Sequence, residues 1–166
     1  MHRPRYSILI LTILALLTLQ VTILPLIKVQ RVRPDLLLIA VCFAGLQWGP
    51  WFGLGVGVSC GLLKDCFSQG LMGGYGFCFG LLGLIVGCLG KQLYRERPLT
   101  QAALTFLVSM LSFFLYYFLA KLHRAMPPIA SSFRYVILPA SVYTAVFALP
   151  LFYILLKIFG GTTPRR

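Results

Sequence analysis

Three carboxylates, Asp35, Asp65 and Glu96, and two imidazoles, His2 and His123, are the whole stock of acid–base side chains in these 166 residues. The carboxylates are scattered over 61 residues, with no Asp-x-x-Asp pair among them. General acid–base work needs such groups within hydrogen-bond reach of one reacting centre. A nucleophile–histidine–acid triad therefore has almost no parts to draw on, and no catalytic residue is expected. Cys42, Cys60, Cys66, Cys78 and Cys88 all fall within or beside apolar runs, with no Cys-x-x-Cys pair and no ligand-spaced histidine. Metal sites are announced by that spacing, and a buried free cysteine is simply a small hydrophobe. Neither a disulfide nor a metal is expected. No Gly-x-Gly-x-x-Gly follows a strand and no Gly-Lys-Ser/Thr occurs, so nucleotide binding is set aside, and no cofactor is expected. With no Asn there is no N-glycosylation sequon.

Two of the carboxylates have other uses. Asp65 ends the run Gly61-Leu62-Leu63-Lys64-Asp65-Cys66, and a second glycine-rich run begins within a few residues. Charged groups near membrane depth are costly, and they are paired or functional. Asp65 reads either as a solvated helix-end carboxylate or as a buried pin between helices or partner contact. Asp35 precedes an apolar run and suits a helix cap, because aspartate accepts from first-turn amides. Glu96, between Arg95 and Arg97, belongs to a solvated charge cluster, and His123 sits beside Lys121 and Arg124 in a loop.

The elements that must carry these residues follow from composition. The chain is 59% hydrophobic and 11% charged, with a mean hydropathy of +0.89. A soluble domain carries about a quarter charged residues. Fifteen Lys and Arg against three acids give a formal charge of +12. These cations punctuate apolar runs instead of gathering on one polar face, which excludes a nucleic-acid partner. An all-α integral membrane protein is expected, with lipid as its surroundings and a single domain over 1–166. About six (five to six) helices are read from the sequence, spanning approximately 6–27, 35–48, 50–64, 73–90, 99–120 and 135–159.

The first run is too long for a signal peptide and is followed by no small-residue cleavage site. It reads as a retained helix. The stretch 36–63 holds 28 residues, about 42 Å of helix, more than one untilted span needs. Pro50 removes a donor and disfavours helix at Gly49, so two short helices meeting there are preferred to one kinked helix. With six helices and the N-terminus inside, eight loop cations lie inside and seven outside; with five helices the count becomes six against nine. The positive-inside rule therefore favours six helices and a cytoplasmic N-terminus.

Fourteen of the sixteen glycines lie between Gly45 and Gly90. Gly45, Gly49, Gly53, Gly57 and Gly61 recur every fourth residue. Gly73, Gly76, Gly80, Gly83, Gly87 and Gly90 alternate steps of three and four. Lipid gives helices no hydrophobic reason to associate, so close backbone approach through small residues supplies much of the packing. The two stripes are read as helix-packing faces, with part of them available to another protein's helix.

Several of these segments occur together in a known family. Arg33-Pro34-Asp35-Leu36-Leu37-Leu38 follows a basic N-terminus and helix. Then comes Gly61-Leu62-Leu63-Lys64-Asp65-Cys66-Phe67-Ser68, and Gly73-Gly74-Tyr75-Gly76 opens the next run. The chain thereby resembles the bacterial rod shape-determining MreD family along nearly its whole length. Its Gly-x-x-x-Asp element at Gly61 and Asp65 is the most specific feature, while the half from Leu99 adds little beyond hydrophobicity. The resemblance implies a non-enzymatic inner-membrane scaffold of cell elongation that works with MreC, MreB and a RodA–transpeptidase pair making lateral peptidoglycan. It also implies a fold like the S component of energy-coupling-factor transporters. That makes a vitamin-type substrate-binding component the alternative, although the apolar runs hold no polar constellation for such a ligand.

Overall fold

The computed structural model describes residues 6–22, 34–68, 72–93, 98–123 and 137–159. The described residues form six helices and no strand: α1 Tyr6–Thr22, α2 Leu36–Trp48, α3 Pro50–Phe67, α4 Gly74–Leu93, α5 Pro98–His123 and α6 Leu138–Phe159. By length and composition, α5 over Gln101–Leu119 and α6 are able to cross a membrane. Ser7–Thr22, Leu36–Trp48 and Gly74–Gly90 are apolar but shorter. Glu96, Arg95, Arg97 and the loop cations from Lys28 to Arg33 lie outside the described residues.

α2 is apolar on every side, the pattern of a helix enclosed by others. Leu36 through Gly45 are all buried, and α2 touches each of the other helices. Its break from α3 is local chemistry. Gly49 has φ 93° and ψ −178°, a region that only glycine occupies readily. Pro50 then opens α3 at the position where its missing N–H costs nothing. The turn is tight enough that a methyl carbon on Gly53 would lie 2.9 Å from the Gly45 Cα.

α4 returns antiparallel along this hairpin. Gly61 lies against Tyr75 and Gly76, Gly57 against Phe79, Gly53 against Gly83, and Gly87 against Pro50. Every step of four along α3 is answered by a step of four back along α4. A methyl carbon on Gly57 would fall 2.7 Å from the Phe79 carbonyl carbon and closer still to its oxygen. The backbones are in direct contact, the geometry in which glycine Cα–H groups approach carbonyl oxygens. Gly76 and Gly80 flank this line, under the side chains of Leu62 and Val58. The working repeat in α4 is therefore four, with Tyr75 and Phe79 supplying carbonyls, and not the alternation of three and four that its glycines display.

α5 and α6 pack on each other, α5 also on α4 and α6 also on α2. At one end an aromatic group joins α2 to α6, with Trp48 5.2 Å from Phe159 and Phe43 5.8 Å from Phe152 between ring centroids. The opposite end is polar.

Candidate functional site

The polar end is organised around Asp35, which is 3% exposed. As the cap of α2, its carboxylate accepts from the Leu38 amide at 3.4 Å, satisfying one of the unpaired first-turn donors. The same oxygen accepts from the Gln20 amide group at 3.3 Å, and the Gln20 carbonyl accepts from Leu37 N at 3.2 Å. The end of α1 is thus fastened to the start of α2. The other carboxylate oxygen of Asp35 pairs with the Lys64 ammonium from α3. The Asp35 amide donates to Thr144 Oγ1 of α6 at 3.2 Å, and that hydroxyl donates in turn to Ala140 O.

Lys64 extends the cluster to the remaining helices. Its ammonium lies 3.9 Å from the Tyr75 ring centroid and 4.9 Å from that of Phe79, both on α4. A cation over an aromatic face is attracted by the ring quadrupole, more strongly when desolvated. Tyr75 stacks on Tyr116 of α5, 3.9 Å between centroids and 11° between planes. One ion pair therefore connects all six helices within two contacts. Such a pair carries a desolvation cost that good geometry and extra hydrogen bonds must offset. Here the cap, the amide of Gln20 and the aromatic rings supply those partners.

Asp65, adjacent in sequence, faces a different neighbour. It is 5% exposed, and its two oxygens accept from Tyr75 N at 3.2 Å and Gly76 N at 3.0 Å. Those amides lie in the first turn of α4, whose preceding residue is Gly73 at φ 88°. Gly73 has no side chain to cap the helix, so a carboxylate from α3 does so. A negative charge there also complements the positive end of the α4 dipole. Consecutive residues thus hold the starts of two helices: Lys64 that of α2, Asp65 that of α4.

Among the candidate residues, the structure places Asp35 and Asp65 in this polar end and Gly45, Gly53, Gly57, Gly61, Gly83 and Gly87 in the contact line. Gly76 and Gly80 lie beside that line, and Gly49 forms the turn. Lys64, Gln20, Thr144, Tyr75 and Tyr116 escaped the sequence reading. The available signal was a lone cation and a lone amide inside apolar runs, since neither stays unpaired in such surroundings. Among the described residues, no group of three or more His, Cys, Asp or Glu is arranged to hold a metal.

The remaining feature is an open apolar cleft of about 280 Å³ between α1 and α3, lined by Leu9, Ile10, Ile13 and Leu14 on one side and Phe52, Gly55, Val56, Ser59 and Leu63 on the other. Gly55 is the α3 helix glycine that meets nothing: a methyl there would have open space. Ser59 Oγ donates back to Gly55 O at 2.9 Å, leaving no free polar donor on that face of α3.

No curated protein and no solved structure matches the chain. The profile of the rod shape-determining protein MreD matches residues 3–160, nearly the full length, and it lends no support to the transporter alternative. With the Gly-x-x-x-Asp element now seen as a helix contact ending in a cap, the chain belongs to the MreD family, a family of membrane proteins of the bacterial shape-determining machinery.

Proposed function

We propose that this chain is a non-enzymatic, multi-pass inner-membrane subunit of the cell-elongation machinery, with its N-terminus in the cytoplasm. In this reading it helps to organise MreC, MreB and the RodA–transpeptidase pair. The family match over residues 3–160 carries the proposal. Physically, the backbone contacts between α3 and α4 and the ion-pair cluster give a stiff body that suits holding other proteins in place. The fold likeness to S components implied by the family belongs to the same proposal. The basic residues near Arg95 and Arg97 would face the cytoplasmic leaflet, where each cation near anionic lipid is worth about 1 kcal/mol.

A partner's transmembrane helix fits best in the cleft between α1 and α3, where Gly55 and Ser59 allow close approach. Gly53 and Gly80 lie in internal contacts, so substitution there would damage the fold itself. Gly55→Leu fills the cleft and leaves the α4 contact untouched. A tagged copy extracted gently from its native membrane is expected to bring down MreC or the transpeptidase, identified by mass spectrometry. The Gly55→Leu form, still folded, is expected to lose it. Transporter ATPase subunits in place of elongation proteins would overturn the functional reading; undiminished capture by Gly55→Leu would move the partner face elsewhere.

A further inference from the structure

The helices reach different heights above the ion pair. Thr144, Asp35, Lys64, Tyr75 and Tyr116 share one level, each touching the next. Thirteen residues from that level along α2, α4, α5 and α6 stand Trp48, Cys88, Ala103 and Lys157. At 1.5 Å per residue they form a second level about 20 Å away. The packing of Trp48 on Phe159, two residues past Lys157, agrees with it. A tryptophan and a lysine there suit a membrane–water boundary. A hydrocarbon core of about 30 Å would therefore reach about 10 Å beyond the ion pair.

α5 and α6 fill that extra height. Lys121, the first charge after Tyr116, lies about 8 Å beyond the ion pair, and Leu138, six residues before Thr144, about 9 Å. Apart from Lys121, the exposed described residues of this stretch are apolar: Phe118, Leu122, Leu138 and Val142. α3 and α4 stop short. α3 ends at Phe67, three residues past Lys64, and α4 begins at Gly74, one before Tyr75. Ser68, Met72 and Gly73 are non-helical, and Met72 is 90% exposed. Lipid-exposed irregular backbone does not occur in hydrocarbon. Side chains can reach along a protein surface to water, but these backbone groups have no such reach. Phe67, also exposed, keeps the tip at the lipid boundary instead of far out in water. An apolar height too short for its bilayer is accommodated by thinning the bilayer, at modest cost per ångström. We infer that the leaflet at the polar end thins beside the α3–α4 tip, where phospholipid headgroups come about 5 Å lower than at α5 and α6. The cleft between α1 and α3 opens on this side, so thinned lipid is what a partner helix would displace. The inference rests on the chain's membrane setting and not on which partner it holds.

Cys66 on α3 and Phe118 on α5 are both exposed and lie two residues beyond the ion-pair level. Cys88 and Ala103, also exposed, make the matching pair at the far level. Cys42, Cys60 and Cys78 are buried. One nitroxide at a time is attached at Cys66, Cys88, Phe118→Cys or Ala103→Cys, with Cys66→Ser and Cys88→Ser removing the other exposed thiols. The full chain is placed in vesicles of palmitoyl-oleoyl phosphatidylethanolamine and phosphatidylglycerol. Power saturation then compares collisions with oxygen, which enters hydrocarbon, and with a nickel chelate, which stays in water. The nickel-to-oxygen ratio is expected to be several-fold higher at Cys66 than at Phe118→Cys, and equal at Cys88 and Ala103→Cys. In thinner vesicles of dimyristoleoyl phosphatidylcholine, the Phe118→Cys ratio is expected to rise toward that of Cys66. Equal ratios at Cys66 and Phe118→Cys in the first vesicles would mean a flat leaflet and overturn the inference. A larger oxygen share at Cys88 than at Ala103→Cys would overturn it too, by showing that the whole protein tilts. So would a Phe118→Cys ratio that ignores bilayer thickness, because protein and not lipid would then be shielding that site.

Discussion

Between α3 and α4 the main chains touch, and glycine is present because nothing larger fits. α5 and α6 also pack on each other, and beside large apolar residues such as Leu104, Val108, Phe152 and Leu155 they bury small polar ones: Thr105, Ser109 and Ser112 on one, Ser141 and Thr144 on the other. Thr105, Ser141 and Thr144 donate to carbonyls of their own helices at 2.7–2.8 Å, which neutralises them for an apolar setting. Both regions place small residues in buried positions, where they allow close helix packing. They differ in compliance. A glycine contact has no rotamer to adjust and no atom to spare, whereas hydroxyl-bearing positions keep side chains that can move or be trimmed. Damage is therefore expected to concentrate in the first region and to be mild in the second.

The largest expected loss comes from uncoupling the two regions. α2 lies between them, and Asp35 reaches Lys64 of α3 with its carboxylate and Thr144 of α6 with its amide. Lys64→Met leaves that carboxylate buried and unpaired. Removing one partner of a buried pair costs about 3–5 kcal/mol, and the Lys64 side chain is 17% exposed, which places the expectation near the lower end. Thermal unfolding in mild detergent measures it. Adding Asp35→Asn should restore most of the loss, since an amide still caps Leu38 without carrying charge. A Lys64→Met protein as stable as wild type would show that the pair couples nothing.

Next in size is the contrast within α3. Gly57→Ala pushes a methyl group into the Phe79 carbonyl, and overpacking of this kind costs about 1–3 kcal/mol. Gly55→Ala, two residues away, meets open space. It should be neutral or more stable by up to about 1 kcal/mol, the helix-propensity difference between the two residues. Equal responses at the two positions would mean that the α3–α4 backbones are not in contact.

What the sequence disclosed about these regions divides along physical lines. The break at Gly49-Pro50 and the capping role of Asp35 are local, decided by neighbours a few residues away. The four-residue glycine repeat is likewise readable, because it needs only helical periodicity. The line on α4 was harder: Tyr75 and Phe79 contribute backbone carbonyls, which every residue type possesses, so their side chains gave no sign. The pairing of Asp35 with Lys64 spans 29 positions and that of the Asp35 amide with Thr144 spans 109. Such contacts depend on how the helices fold back on each other. Composition could say that a lysine and a glutamine in apolar runs need partners, but not which partners.

The smallest effect sharpens the comparison from the compliant side. Ser109 on α5 is fully buried, and its hydroxyl oxygen has no hydrogen-bond partner among the described residues. An unsatisfied buried polar group costs about 1–3 kcal/mol, and removing it recovers part of that. Alanine is also the better helix former. Ser109→Ala is therefore expected to stabilise the protein by about 1 kcal/mol, read as a rise in unfolding temperature. Ser141→Ala, which removes a satisfied hydroxyl, should change little or cost a few tenths of that. If Ser109→Ala instead destabilises, the hydroxyl makes a bond in the membrane-embedded protein, and the α5–α6 region is more specific than its small polar residues imply. If both serines behave as expected, side-chain trimming is tolerated at α5 and α6 where a single added methyl is not tolerated at Gly57. That sign reversal is the sharpest consequence of glycine lining the α3–α4 contact while α5 and α6 bury hydroxyls.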